Sequence, residues 1–225
     1  ANYRRVDDAY CEEMIPQEYD PSTNLVKSNR YVFTEAFETR DATGTIPIFG
    51  PDHIPIGLQK MKAYKIPHAI IEIDLDDGTG IDFDTFTVQK YVAGLVYLLT
   101  WARDNLPNVA GQTGSNNLIN LRDFPLAMVH CPDRVVEMVS ALAKLPSDIR
   151  PMGMIYEEPM GEYFPEEMGD WSKMIRDAMD NNGWTSRFQQ DGTTYDGLLL
   201  VHVHKQWGMA DAVVLDCLAK GADGM

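Results

Sequence analysis

The sequence predicts an α/β fold of the TIM-type (β/α) barrel kind, abbreviated or incomplete. Three observations carry this. Short apolar, β-branched runs alternate with longer amphipathic segments along most of the chain. The connections are long enough for parallel crossovers. The clearest strand candidates are apolar on both parities, as strands buried on two faces are.

Residues 1–30 read as an irregular N-terminal arm, with Pro16, Pro21 and the turn-forming run Asp20-Pro21-Ser22-Thr23-Asn24. Residues 31–225 read as the barrel domain. Tyr31 to Thr34 is β-branched and aromatic, hence a strand. It leads through Thr39-Arg40-Asp41 into a loop with Gly44, Pro47, Gly50 and Pro51. Ile56 to Tyr64 suits a short helix, and Ala69 to Ile73 a second strand. A long helix is expected over Asp82 to Asn105 and a third strand over Asn116 to Leu121. The apolar run before His130-Cys131 looks strand-like.

Val135, Val136, Met138, Val139, Leu142 and Leu145 recur at helical spacing and predict an amphipathic helix from Pro132. Pro151 to Tyr156 reads as a strand, and Pro165 to Met179 as a helix with proline in its first turn. Leu198 to Val203 is a buried strand, and Met209 to Ala219 a helix that Gly221 stops. That last helix should feed a further strand, so the polypeptide is expected to continue beyond Met225.

Composition narrows the function. The net charge is −15, which disfavours nucleic acid, a partner that needs a basic patch, and suits a divalent cation. No apolar run approaches the roughly 20 residues of a membrane span, so no membrane partner is expected. The three cysteines, Cys11, Cys131 and Cys217, are odd in number and far apart. This points to a reducing compartment, cytoplasmic or an organelle matrix, and offers no thiolate metal site. No Gly-rich nucleotide fingerprint follows a strand.

One pattern points to chemistry. His202 and His204 stand two apart on a predicted strand, so their side chains share a face. In a barrel both imidazoles then reach one ion at the strand's C-terminal end, where barrel active sites lie. Read alone, the pair fits two histidines on a wet edge strand equally well. Glu72, inside the apolar strand Ile71-Glu72-Ile73, needs a partner, because an unpaired buried carboxylate is costly. Trp207 and Met209 read as core residues, and His53 and His68 as loop residues. Glu157 and Glu158 fit a pocket wall or the surface.

The run Val201-His202-Val203-His204-Lys205-Gln206-Trp207-Gly208-Met209-Ala210, followed by Gly221-Ala222-Asp223, resembles the metal-binding strand and next helix of the DRE-TIM metallolyase superfamily. That superfamily includes 3-hydroxy-3-methylglutaryl-CoA lyase and isopropylmalate synthase. Arg40-Asp41 after the first strand, Glu72 in the second, and Tyr156-Glu157-Glu158-Pro159-Met160-Gly161 before the last fall in the family's order.

The resemblance implies that Asp41, His202 and His204 are metal ligands for Mg²⁺, Mn²⁺ or Zn²⁺. It implies that Arg40 and Glu72 are catalytic, the first stabilising an enolate oxygen and the second orienting Arg40 or assisting proton transfer. The implied reaction makes or breaks a carbon–carbon bond of a 2-oxo acid or acyl-CoA, in a homo-oligomer with a small-molecule substrate. The alternative is a catalytically inactive barrel serving as a structural or regulatory subunit. Three departures stand out: Ala42 where the family has Gly, Lys205 where it has an acid or amide, and Glu157-Glu158 where it has Asp-Thr. The family also fits four strands between Glu72 and His202, and this sequence offers two or three.

Overall fold

A computed structural model describes residues 19–26, 31–35, 54–75, 87–109, 117–188, 195–204 and 207–225. Within them five parallel strands form one sheet in chain order: β1 (Tyr31–Glu35), β2 (His68–Asp74), β3 (Leu118–Arg122), β4 (Gly153–Glu158) and β5 (Leu198–Val203). The helices lie between and after them: α1 (Ile56–Tyr64), α2 (Val88–Asn105), α3 (Phe124–His130), α4 (Pro132–Ala143), α5 (Pro165–Asn181) and α6 (Ala210–Ala219). Two short pairs sit apart from this sheet: Leu25–Val26 runs parallel to Asn108–Val109, and Arg187–Phe188 antiparallel to Tyr195–Asp196.

The strand order separates a barrel from a doubly wound sheet, which the alternation of elements alone leaves open. A doubly wound sheet reverses its strand order and puts helices on both faces. Here, among the described residues, the order never reverses, and successive helices pack against one another on one face. The result is an abbreviated TIM-type barrel. Among the described residues, β3 and β4 are the strands of this sheet that stand between Glu72 on β2 and His202 on β5. After α6 the chain returns alongside β5: Asp223 N–H donates to the Leu199 carbonyl (2.7 Å) and Val201 N–H to that of Gly224 (3.0 Å).

The main core fills the layer between helices and sheet. Ala69, Ile71, Ile73, Ile119, Leu121, Met154, Tyr156, Leu199 and Val201 supply the sheet side. Val135, Met138, Val139 and Leu142 of α4 are the buried stripe that the spacing predicts. Phe124 of α3 packs on Tyr156 with ring centroids 5.0 Å apart, and the Tyr156 hydroxyl donates to Ser172 Oγ of α5 at 2.8 Å. At Gly153, β4 leaves no room for a side chain against β5. A Cβ there would sit 2.5 Å from the Leu198 carbonyl oxygen.

Polar ties fix the start of β5. Arg176 on α5 donates to the carbonyls of Gly197 (2.8 Å) and Trp184 (2.6 Å). Asp196 accepts from Arg150 (2.7 Å) and from the Trp184 indole N–H (3.0 Å). Trp184 is fully buried, so Trp184→Ala should cost about 3–5 kcal/mol, the range for deleting a large core aromatic. Urea unfolding followed by circular dichroism checks this.

Some expectations are corrected. The apolar run before His130 is helical, not strand-like. Asp123 takes a left-handed turn (φ 52°) and Pro125 sits in the first turn of α3, where a missing N–H costs nothing. A run apolar at every position carries no period, so sequence alone could not tell helix from strand. Trp207 is 72% exposed rather than core, and His68 is a fully buried strand residue rather than a loop residue. The turn at Asp20 is as expected: its carboxylate accepts from Ser22 and Thr23.

Candidate metal centre

Alternation along a strand sends every second side chain to the face away from the helices. On that face the lower row is apolar: Ile70, Leu118, Ile155 and Leu198 cluster, with Leu200 packed against them. The same parity continued toward the C-terminal ends places Glu72, Asn120, Glu157, His202 and His204 in an upper, polar row. Glu157 stands opposite His202 in the register, and Glu72 opposite Asn120.

These side chains form one connected set. Asn120 is fully buried. Its Nδ2 donates to Glu72 Oε1 at 3.0 Å and to Glu157 Oε2 at 2.7 Å. An amide between two carboxylates must turn its NH₂ toward them, which leaves Asn120 Oδ1 buried without a partner. Glu157 Oε1 lies 3.2 Å from His204 Nε2, and Oε2 lies 3.5 Å from His202 Nδ1. The imidazole rings stack with centroids 4.9 Å apart. Glu157 is buried, while both histidine side chains are about two-fifths exposed (41% and 42%). The carboxylate is therefore fixed from below and the imidazoles face the open end.

Electrostatics follow from that arrangement. Burial alone would raise the Glu157 carboxyl, but hydrogen bonds from His202 and Asn120, with the positive charges of His202 and Arg122, hold it down at about 2. His202 is pushed up, chiefly by its hydrogen bond to Glu157 and against the opposing effect of burial. Both shifts favour the ion pair.

The sign of the pH dependence follows for the metal-free protein. A lowered carboxyl stabilises above its unfolded value of roughly 4.3, and that stability is lost as pH falls toward about 2. A raised imidazole stabilises below its unfolded value of roughly 6.5, and that is lost as pH rises through its folded value. The pair should therefore contribute most between about pH 4.3 and 6.5. Metal uptake must displace the His202 proton. Apparent affinity should then rise about tenfold per pH unit while His202 is protonated, and level off above. Competition titrations with a chromophoric chelator across pH check the slope.

The donor set fits a divalent ion. Glu157, His202 and His204 each offer one ligand atom, and the three atoms lie within 4.8 Å of one another. Bonds of about 2.0–2.2 Å around a tetrahedral ion separate neighbouring ligands by roughly 3.3 Å, so three donor atoms within 4.8 Å of one another can close on one ion with small side-chain movements. Two imidazoles and one carboxylate make up the three-ligand sets of catalytic sites, which keep a position open for water or substrate.

The predicted site residues fare differently. His202 and His204 come together at one point on β5. Glu72 lies on the same face and reaches them through Asn120 and Glu157. One partner of the half-buried Glu72 is the Asn120 amide, which donates to its carboxylate at 3.0 Å. Arg40, Asp41 and Lys205 lie outside the described residues, as does His53.

Sequence reasoning missed Glu157 as the third candidate ligand and did not see Asn120 at all. The available signal was parity. Glu157 is two residues past Ile155 on a strand whose inward positions are otherwise apolar. Glu158, of opposite parity, does other work: it is buried, and its carboxylate accepts from the backbone N–H groups of Met160, Gly161 and Glu162. This folds the β4–α5 loop back beside the site.

No protein-family model matches the chain, and no curated protein matches it. The fold and the Glu-His-His cluster support a metal-dependent barrel enzyme in general. The likeness to the metallolyases rests on the sequence motifs that carry it. No helix among the described residues is long and apolar enough to cross a membrane.

Proposed function

We propose that this protein is a divalent-metal-dependent carbon–carbon lyase or synthase acting through an enolate on a 2-oxo acid or acyl-CoA. The observation that carries the reading is the Glu157-His202-His204 cluster at the C-terminal ends of parallel barrel strands, the end where barrel chemistry resides. Its partners in sequence, Arg40-Asp41 after β1 and Glu72 on β2, follow the order the metallolyase resemblance implies.

Glu157, His202 and His204, with Asp41 as a further proposed ligand, would hold the ion, which when bound would supply Lewis acidity to a substrate oxygen. Two imidazoles favour Zn²⁺ or Mn²⁺ over Mg²⁺, which prefers oxygen donors throughout. The chain's own groups do the rest. Arg40 offsets negative charge that develops on the substrate oxygen. Glu72 takes or returns the proton on the adjacent carbon. Asn120 stands between the Glu72 and Glu157 carboxylates and donates to both, which helps hold Glu157 ionised. The homo-oligomer and the small-molecule substrate belong to the same proposal.

Enolate formation has a direct readout. In D₂O, the metal-loaded protein should exchange the C3 hydrogens of a 2-oxo acid, followed by proton NMR, and Glu72→Gln should slow this by at least about 100-fold, the low end for an acid–base group. No exchange with any 2-oxo acid or acyl-CoA despite bound metal would leave a barrel that binds an ion without this chemistry, the structural-subunit alternative.

A further inference from the structure

We propose that Glu158 is a positioning residue of the metal centre: by holding the β4–α5 loop against the segment before α6, it keeps His204 in place as a ligand. This rests on the reading of Glu157, His202 and His204 as a metal site and names what steadies one of its donors.

The two histidines are not held alike. His202 lies inside the ladder, opposite Glu157. His204 lies one residue past the end of β5. Its backbone N–H donates to the Glu158 carbonyl at 3.1 Å, so β4 grips this ligand through residue 158. The Glu158 side chain itself points away from the ion, because its parity is opposite to that of Glu157.

That side chain holds the loop. Glu158 is 2% exposed. Its Oε1 accepts from the N–H groups of Met160 and Glu162, and its Oε2 from that of Gly161, at 2.5–3.3 Å. A carboxylate suits this place, since both its oxygens only accept and charge-assisted bonds are the strong ones. Gly161, at φ 69°, supplies the left-handed residue of the turn. The far end of the loop is fixed on α5: Phe164 N–H donates to Glu167 at 2.9 Å, and Tyr163 packs edge-on against Trp171 with centroids 5.4 Å apart.

The loop in turn backs His204. Gly161 and Tyr163 face His204, Trp207 and Met209 across a gap of about 10 Å³, the least that holds one water, roughly 10–15 Å³. The two segments are therefore packed together. Without the Glu158 acceptor, three N–H groups in a closed place lose their partner. Unmet buried donors are costly, so the loop must move toward water, and the wall beside His204 moves with it. Glu157 and His202 keep their own ties to Asn120 and to the ladder. The loss falls on one ligand.

The test uses the folded chain with Co²⁺ as probe, its affinity read by competition with a chelator and its coordination by visible absorption. Glu158→Gln keeps the shape but turns an NH₂ group toward at least one loop N–H. It should weaken Co²⁺ binding about 10–100-fold, the range for a group that orients a ligand, and change the visible band at saturation as His204 leaves the ion. In a His204→Ala background the same substitution should change affinity by less than about twofold, because a residue acting through His204 has nothing left to act on. Equal weakening in both backgrounds, or an unchanged band and affinity in the single variant, would make Glu158 a structural residue only and overturn the proposal. Where His204→Ala alone abolishes binding, the affinity and band of the single variant decide. Should Glu158→Gln fail to fold, Glu158→Asp, which keeps the charge and draws it back by one methylene, goes through the same cycle. If the wild type takes up no Co²⁺, the metal reading fails and this inference with it. If it binds Co²⁺ without the coupling, only this inference fails.

Discussion

Replacing His202 and His204 together with alanine should reduce bound divalent metal from about one ion per chain to none, measured by elemental analysis after gel filtration. Two of the three donor side chains would go, and one carboxylate does not retain a borderline ion against water and buffer. The loss should exceed the roughly 10–100-fold that removing a mere supporting hydrogen bond costs. The fold should survive, because both side chains are about two-fifths exposed and neither belongs to the packed layer between helices and sheet. Retained stoichiometric metal in the double variant would place the ion elsewhere and remove the basis for the proposed chemistry.

The second large effect is expected at Glu157. Glu157→Gln keeps the shape and removes the charge. The new amide would turn its NH₂ either toward the Asn120 donor or toward the His204 ring nitrogen, and in either case one of the two accepting oxygens is lost. Metal affinity should fall by more than about 100-fold, beyond the range of an outer-shell change. A second readout separates this role from a structural one. His202 is raised chiefly by its hydrogen bond to Glu157, so in the metal-free variant its imidazole titration, followed by NMR, should move down. The stability gained below about pH 6.5 should shrink with it. An unmoved His202 titration would mean that Glu157 and His202 do not interact in solution. Asn120→Leu should mimic part of the effect. It removes the orphaned Oδ1 but takes a donor from the buried Glu157, at about 1–3 kcal/mol, and one from the half-buried Glu72, at less.

Much of the fold is legible in the amino-acid sequence. α1 coincides with the segment its pattern predicts, and β5 does too. Apart from α3, read as strand-like, and the four two-residue strands, which no pattern announced, the other elements begin or end within a few residues of their expected bounds. These segments carry their own signal, since an apolar run or a helical stripe is a property of neighbours in the chain. Half of the site is legible for the same reason. His202 and His204 are two apart, and strand alternation alone puts them on one face.

Glu157 and Asn120 are not legible, because what makes them a site is a register between distant strands. Asn120 and Glu157 are 37 positions apart, and Glu157 and His204 are 47. No local pattern states which residue of β4 will stand opposite His202, and a slip of one position would have sent Glu158 inward instead.

The sequence by itself determined the alternating α/β pattern, the parallel character of the strands, the acidic charge and the paired histidines. All of these follow from local periodicity or composition. Only the tertiary structure decided that the sheet runs in unbroken chain order with its helices on one face. It likewise made Phe124–His130 a helix and left Trp207 outside the core. It also drew Glu157, held by Asn120, between the two imidazoles as the third donor. Those outcomes depend on strand order and register, which are set by how whole faces bury against one another and not by any stretch of neighbouring residues.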